Sequence, residues 1–197
     1  MDAVIIDSGG ANLASLQFAF ERLGAKTEVS ADATAIRSAP RVILPGVGSA
    51  GDAMARLRSN RVATLLPTLT QPVLGICLGM QLLFERSEEG DTECLGIIPT
   101  PVRRLQPKDG QPVPHMGWNQ LALVREDPLL EGIAPNDYVY FVHSFAAPFS
   151  EVTLASSDYG TTLSAVVRRG NFWGTQFHPE RSAQVGARVL ANFLRLA

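Results

Sequence analysis

The hydrophobic positions change their period along the chain. In the first half, short β-branched runs alternate with helical patterns, as an open parallel sheet covered by helices requires. Residues 3–7 (AVIID) read as a first buried strand, and Gly9-Gly10 turns the chain. Leu13, Leu16, Phe20 and Leu23 then recur at helical spacing until Gly24, which stands in a C-cap position. Residues 26–29, 42–44 and 73–76 read as three more strands, the third of the four ended by Pro45-Gly46 and the fourth running directly into Cys77. A helix over about residues 78–85 is expected to follow. From Leu95 onward, short strands separated by proline and glycine predict a more antiparallel half, including residues 139–145 (VYFVHSF) and 171–177 (NFWGTQF). Ser182 is placed to cap a last amphipathic helix with Val185, Val189, Leu190 and Phe193 in one stripe. The expected fold is α/β: an open sheet, mostly parallel with antiparallel additions, with helices on both faces.

Composition narrows the function classes. With 197 residues and no Ser-, Gly- or charge-rich linker, a single domain over 1–197 is expected. A 46% hydrophobic chain of net charge -2 fits a globular enzyme and argues against disorder. Arg103-Arg104 and Arg168-Arg169 are isolated pairs without interleaved aromatics, so nucleic acid is not an expected partner. No apolar run is long enough to cross a bilayer, and the N-terminus carries no basic leader. Cys77 and Cys94 are too few for a disulfide framework, which points to a reducing cytoplasm. If one cysteine matters in such a chain, it matters for reactivity.

Residues 75–79 (GICLG) have the form G-x-C-x-G, the cysteine version of a nucleophile elbow, where a strand becomes a helix. The turn lifts the side chain out of the sheet, the flanking glycines avoid clashes, and the N–H of Leu78 is left to bond a developing oxyanion. Residues 177–180 (FHPE) supply the base. Proline keeps His178 extended, and positions two apart in extended chain face the same side, so Glu180 can orient the imidazole. A carboxylate-oriented histidine aimed at a thiol is what nucleophilic catalysis needs. His143 and His115 lack such a carboxylate and read as packing residues. Three scattered histidines and two separate cysteines do not have the close spacing of a zinc site. Residues 46–51 match G-x-G-x-x-G, but after the third strand, and without an acidic residue about twenty positions on to hold a ribose. That loop can instead present backbone N–H groups to a carbonyl oxygen.

With PGVG at 45–48, GICLGMQ at 75–81 and FHPE at 177–180 in this order, the sequence resembles the triad glutamine amidotransferases over essentially its whole length. Within that group, PHMGWN at 114–119 and FVHSF at 141–145 are similar to the glutaminase subunits of imidazole glycerol phosphate synthases. The resemblance implies a flavodoxin-like domain without cofactor or metal, with Cys77, His178 and Glu180 as triad. It further implies an oxyanion hole from the backbone of Leu78 with Val47 or Gly48, and substrate contacts at Gly46, Gln81, Glu89, Ser144 and Phe145. Asn12, Trp118 and Arg181 would face a separate β/α-barrel cyclase. That partner would use the ammonia to make imidazole glycerol phosphate and an aminoimidazole carboxamide ribonucleotide. Where the family opens DYGxGN, this chain has Ser8 for the tyrosine and Ala11 for a glycine. A glutaminase subunit of another amidotransferase, or a free-standing γ-glutamyl hydrolase, would carry the same triad. A binding module that keeps the fold would not need it.

Overall fold

The structure, a computed structural model, describes residues 1–8, 13–108 and 110–197. Its backbone is an eight-stranded sheet. Strands β1 (Ala3–Ile6), β2 (Thr27–Ser30), β3 (Val42–Leu44) and β4 (Val73–Ile76) pair in the order β2-β1-β3-β4, and the strand Phe172–Thr175 follows beside β4. All of these are parallel. The strands Thr162–Arg169, Thr153–Asp158 and Ala122–Leu123 then extend the sheet antiparallel. The parallel part thus has the flavodoxin-like strand order, and the antiparallel part occupies one edge. A four-stranded sheet and a two-stranded ribbon, His115–Gln120 paired with Tyr138–His143, lie outside it.

Both faces of β1, β3 and β4 are buried, so apolar residues follow one another there without polar interruption, while the edge strand β2 (TEVS) is half-open to solvent. Alternate residues serve opposite cores. Ala3, Ile5, Ile43, Leu74 and Ile76 join a cluster with Leu16, Ala19 and Phe20 of helix α1 (Leu13–Arg22). Val4, Ile6, Val42, Leu44 and Val73 join the other, against α2 (Ala33–Ser38), α3 (Ala50–Ser59) and α4 (Val62–Leu65). The last helix, which becomes α6 once the one-turn α5 (Leu78–Gln81) is counted, spans Ala183–Phe193 and packs Val189, Leu190 and Phe193 into the first cluster.

Two sequence expectations need correction, and one helix, α2, was not anticipated. The helix after Cys77 is one turn, not two: the carbonyls of the fully buried Leu82, Leu83 and Phe84 accept from Leu95, Ile98 and Gly96 instead of continuing the helical ladder. The chain instead enters the strand Phe84–Ser87, and Leu83 O accepts from Ile98 N at 2.9 Å. Ser182 occupies the N-cap position of α6, but its side chain makes no capping hydrogen bond. Its hydroxyl donates to His178 O (2.7 Å) and accepts from Tyr140 N (2.9 Å). Helix α2 carried no long periodic stripe, being six residues with one buried apolar side chain, Ile36. Asp32 specifies it locally, accepting from Thr34 N and Ala35 N at 2.9 and 2.8 Å. The proposed Gly9-Gly10 turn and Asn12 lie outside the described residues.

The first turn of α5 sits directly on the end of β3. A Cβ at Gly46 would lie 2.5 Å from Gly79 N, and one at Gly79 would overlap the carbonyl oxygen of Leu44. No side chain fits at either position without separating the backbones. Gly79→Ala should therefore lower stability by about 2–3 kcal/mol in urea unfolding, as overpacking of a rigid core does. Gly51→Ala, inside α3 with only Thr92 Oγ1 at 3.6 Å, should be neutral or stabilising in the same assay.

Candidate active site

Cys77 follows β4, His178 follows the strand Phe172–Thr175, and Gly46 follows β3. These three strands are neighbours and parallel, so their C-terminal ends open on one side. Cys77 adopts φ 53, ψ -111, a conformation that costs a non-glycine residue about 1–3 kcal/mol. It is held there by Cys77 N donating to Thr175 O (2.7 Å) and by Gln81 N donating to Cys77 O (3.1 Å). Such a sharp strand-to-helix turn lifts the sulfur out of the sheet. As the first residue of α5, Leu78 has an N–H with no acceptor inside the helix. Because α5 is one turn long, the local N–H groups matter here more than a helix macrodipole.

His178 is fixed from three sides. Its N–H donates to Tyr140 O (3.0 Å), its carbonyl accepts from Ser182 Oγ, and its Nδ1 donates to Glu180 Oε1 at 2.9 Å. Burial opposes charge on the imidazole, but hydrogen bonds to Cys77 and Glu180 outweigh it and raise the pKa to about 10. His115 and His143 behave oppositely. They lie in the core, bonded to each other (Nδ1 to Nε2, 3.0 Å), and burial lowers them to about 4 and about 3.

Gly46, Val47, Gly48, Cys77, Leu78, His178, Glu180 and Arg181 line one cavity of about 690 Å³, with Ser15 and Val142. Ser15 and Val142 were not anticipated, since neither a serine in α1 nor a valine within VYFVHSF carries a chemical signature. Gln81, Glu89, Ser144 and Phe145 are not among the lining residues. Gln81 Nε2 donates to Phe145 O (2.7 Å), and Ser144 O accepts from Leu105 N (2.9 Å). Glu89 Oε2 accepts from Ala50 N (2.7 Å) at the start of α3, where an acidic group is favoured. Trp118 is exposed, its ring 6.1 Å from that of Tyr140, over which the Arg181 guanidinium lies at 4.8 Å. Among the described residues, no group of three or more His, Cys, Asp or Glu could hold a metal ion.

Residues 4–197 match the family model of glutamine amidotransferase class-I. The chain belongs to this family. It is 54% identical over 196 residues, all of its own length and 98% of the relative's, to the imidazole glycerol phosphate synthase subunit HisH of Xanthomonas euvesicatoria. It is 51% identical to the subunit of the same name from Shewanella oneidensis, covering 99% of this chain and 96% of that one. Among solved structures, a glutamine amidotransferase superposes with TM-score 0.76 at 18% identity, covering 98% of this chain and 97% of that one. PurLQS from Thermotoga maritima superposes with TM-score 0.74 at 20% identity, covering 98% and 96%. Those two likenesses show the class-I amidotransferase fold.

The histidines give this amidotransferase two separate pH windows. His115 and His143 bind protons more readily unfolded, near 6.5, so their stabilising contribution is complete above 6.5 and lost as pH falls towards about 4 and about 3. His178 holds its proton more tightly when folded, so its contribution is complete below 6.5 and lost as pH rises through about 10. Urea unfolding of the wild type should show a stability decline from pH 6.5 to about 5 that His115→Phe makes shallower. Parallel slopes would contradict the assignment.

Proposed function

We propose that this chain is the glutaminase subunit of an imidazole glycerol phosphate synthase, releasing ammonia from the side-chain amide of L-glutamine for histidine biosynthesis. One observation carries the reading: Cys77, His178 and Glu180 meet at one cavity, in a chain that is 54% identical end to end to a protein of that name. The sulfur of Cys77 attacks the amide carbon, and the N–H of Leu78, with that of Val47 or Gly48, holds the oxyanion. His178, already carrying a proton through its bonds to Cys77 and Glu180, delivers it to departing ammonia and leaves a glutamyl thioester. Water activated by the same imidazole, which takes its proton, then releases glutamate and restores the thiolate and imidazolium. Gln81, Glu89, Ser144 and Phe145 are assigned to the amino-acid end of glutamine on family resemblance, which requires the substrate to reach beyond the lining seen here.

The partner is a β/α-barrel cyclase that consumes the ammonia. The outer face of the ribbon supports a docking surface beside the cavity: Met116, Trp118 and Tyr138 are exposed, and Arg181 stands at the cavity rim. We assign one amidotransferase domain to 1–197. The cytoplasm is the proposed compartment, consistent with two free cysteines; no helix among the described residues is long and apolar enough to cross a membrane.

With the cyclase present, Cys77→Ala should abolish glutamine-dependent synthesis of imidazole glycerol phosphate, while synthesis from added ammonium salt stays within about twofold of wild type. Equal loss of both would overturn the division of labour. In single-turnover thioester formation, Glu180→Gln should be milder than His178→Ala, because it weakens the orientation of the base without removing it.

A further inference from the structure

The sulfur of Cys77 has a neighbour that the triad does not use. Gln176 is fully buried in the segment between the strand Phe172–Thr175 and His178, and its Nε2 lies 3.8 Å from Cys77 Sγ. Its other amide atom, Oε1, accepts from Gln81 Nε2 at 3.0 Å, and Gln81 Nε2 also donates to Phe145 O at 2.7 Å. We infer that Gln176 is a positioning residue for the reaction, holding an N–H donor against the nucleophilic sulfur in an orientation imposed through Gln81 by the carbonyl of Phe145.

The orientation follows from what each group can do. A backbone carbonyl only accepts, so Gln81 must turn its NH₂ towards Phe145 O. The second N–H of that NH₂ then needs an acceptor, which fixes Gln176 with Oε1 towards Gln81 and Nε2 towards the sulfur. Reversing Gln81 would set two carbonyl oxygens against each other; reversing Gln176 would set two NH₂ groups against each other. Both side chains are buried, at 4% and 0% exposure, where an unmet polar group is costly.

The Phe145 carbonyl is itself held from the other side. Asn119 Oδ1 accepts from Gln120 N (2.8 Å) and its Nδ2 donates to Asp158 O (2.9 Å), so Nδ2 is the atom facing His115 Nε2 at 3.3 Å. His115 must then carry its proton on Nδ1 and donate to His143 Nε2, which leaves His143 Nδ1 to donate to Phe145 O at 2.9 Å. Each hydrogen has one consistent assignment: His143 and Gln81 both donate to Phe145 O, and the Gln81 branch ends with a donor on the reacting atom. A thiol tolerates any neighbour there. The anionic sulfur that attacks glutamine is stabilised by a donor and opposed by an acceptor.

This inference rests on Cys77 as the nucleophile, and the test separates the two. Gln176→Met keeps the volume and removes the donor; Gln176→Glu keeps the shape and presents a carboxylate oxygen to the sulfur. The readouts are glutaminase kcat and KM in the cyclase complex, and the rate of Cys77 alkylation by iodoacetamide followed by mass spectrometry, with Cys94 in the same sample as the folding control. Gln176→Met should lower kcat and Cys77 alkylation about tenfold with KM within about twofold. Gln176→Glu, the closer isostere, should be worse at pH 8 and recover relative to wild type as pH falls and its carboxyl gains a proton that can be donated. A purely structural role predicts the opposite order. Should Cys94 react faster in these variants, showing loss of the fold, Gln81→Met decides: it leaves Gln176 in place, frees its amide to turn, and should slow Cys77 alkylation alike. Cys77 alkylation within twofold of wild type in folded variants, or a loss confined to KM, would overturn the proposal. Failure of the nucleophile assignment shows differently, as glutamine hydrolysis that survives Cys77→Ala.

Discussion

Backbone contact between Gly79 and the end of β3 is the constraint on which the site depends. Because Gly46 and Gly79 have no side chains, the first turn of α5 can rest on Leu44 and the loop after it. This proximity brings Leu78 N–H and residues 46–48 to the same cavity wall. It also forces the turn at Cys77 into its strained φ and ψ, since the chain must leave β4 and reverse onto the neighbouring strand end within one residue. The strain is offset by burial of Leu82, Leu83 and Phe84 just beyond. The helix ends after one turn where the carbonyls of Leu82, Leu83 and Phe84 turn to accept from Leu95, Ile98 and Gly96.

Electrostatics divides three histidines of one core into two kinds. Burial disfavours the charged form of all three, yet His178 is held protonated while His115 and His143 stay neutral. The difference is in the partners: Glu180 and Cys77 for one, a second imidazole and a backbone carbonyl for the others. A proton kept on His178 is available for a leaving amine; neutral imidazoles can hold the Phe145 carbonyl without adding a like charge near it.

Much of this was legible in the sequence because it is encoded locally. Strands β1, β3 and β4 are continuous apolar runs, α1 and α6 are periodic stripes, and Cys77, His178 and Glu180 stand in two short motifs whose form reflects extended chain at His178 and a tight turn at Cys77. Other features depend on contacts between distant segments. The length of α5 is decided by residues 95–98, which pair with the following strand. Ser182 has the right residue type and place for a cap, but the ribbon strand at Tyr140 claims its hydroxyl. Gln176 sits in NFWGTQF, where it reads as one polar residue in a strand. Only the fold shows that Gln81, ninety-five positions away, turns its amide towards Cys77.

The two-stranded ribbon joins what would otherwise be separate properties. In the strand Tyr138–His143 successive side chains point to opposite faces, so Val139, Phe141 and His143 are buried while Tyr138, Tyr140 and Val142 are not. Its partner strand repeats the division, with His115 inward and Met116 and Trp118 outward or half-open to solvent. The outer face lies beside the cavity rim through Tyr140 and Arg181; the inner face carries the histidine pair that fixes the Phe145 carbonyl. Register is what links them. His143 pairs with His115, and Val142 at the cavity pairs with Met116, so neither strand can slide by one residue without exchanging the faces. A partner seated on the outer face would therefore bear on the same two strands that orient the amides behind Cys77. The proposed docking surface and the proposed support of Cys77 would then share one two-stranded ribbon.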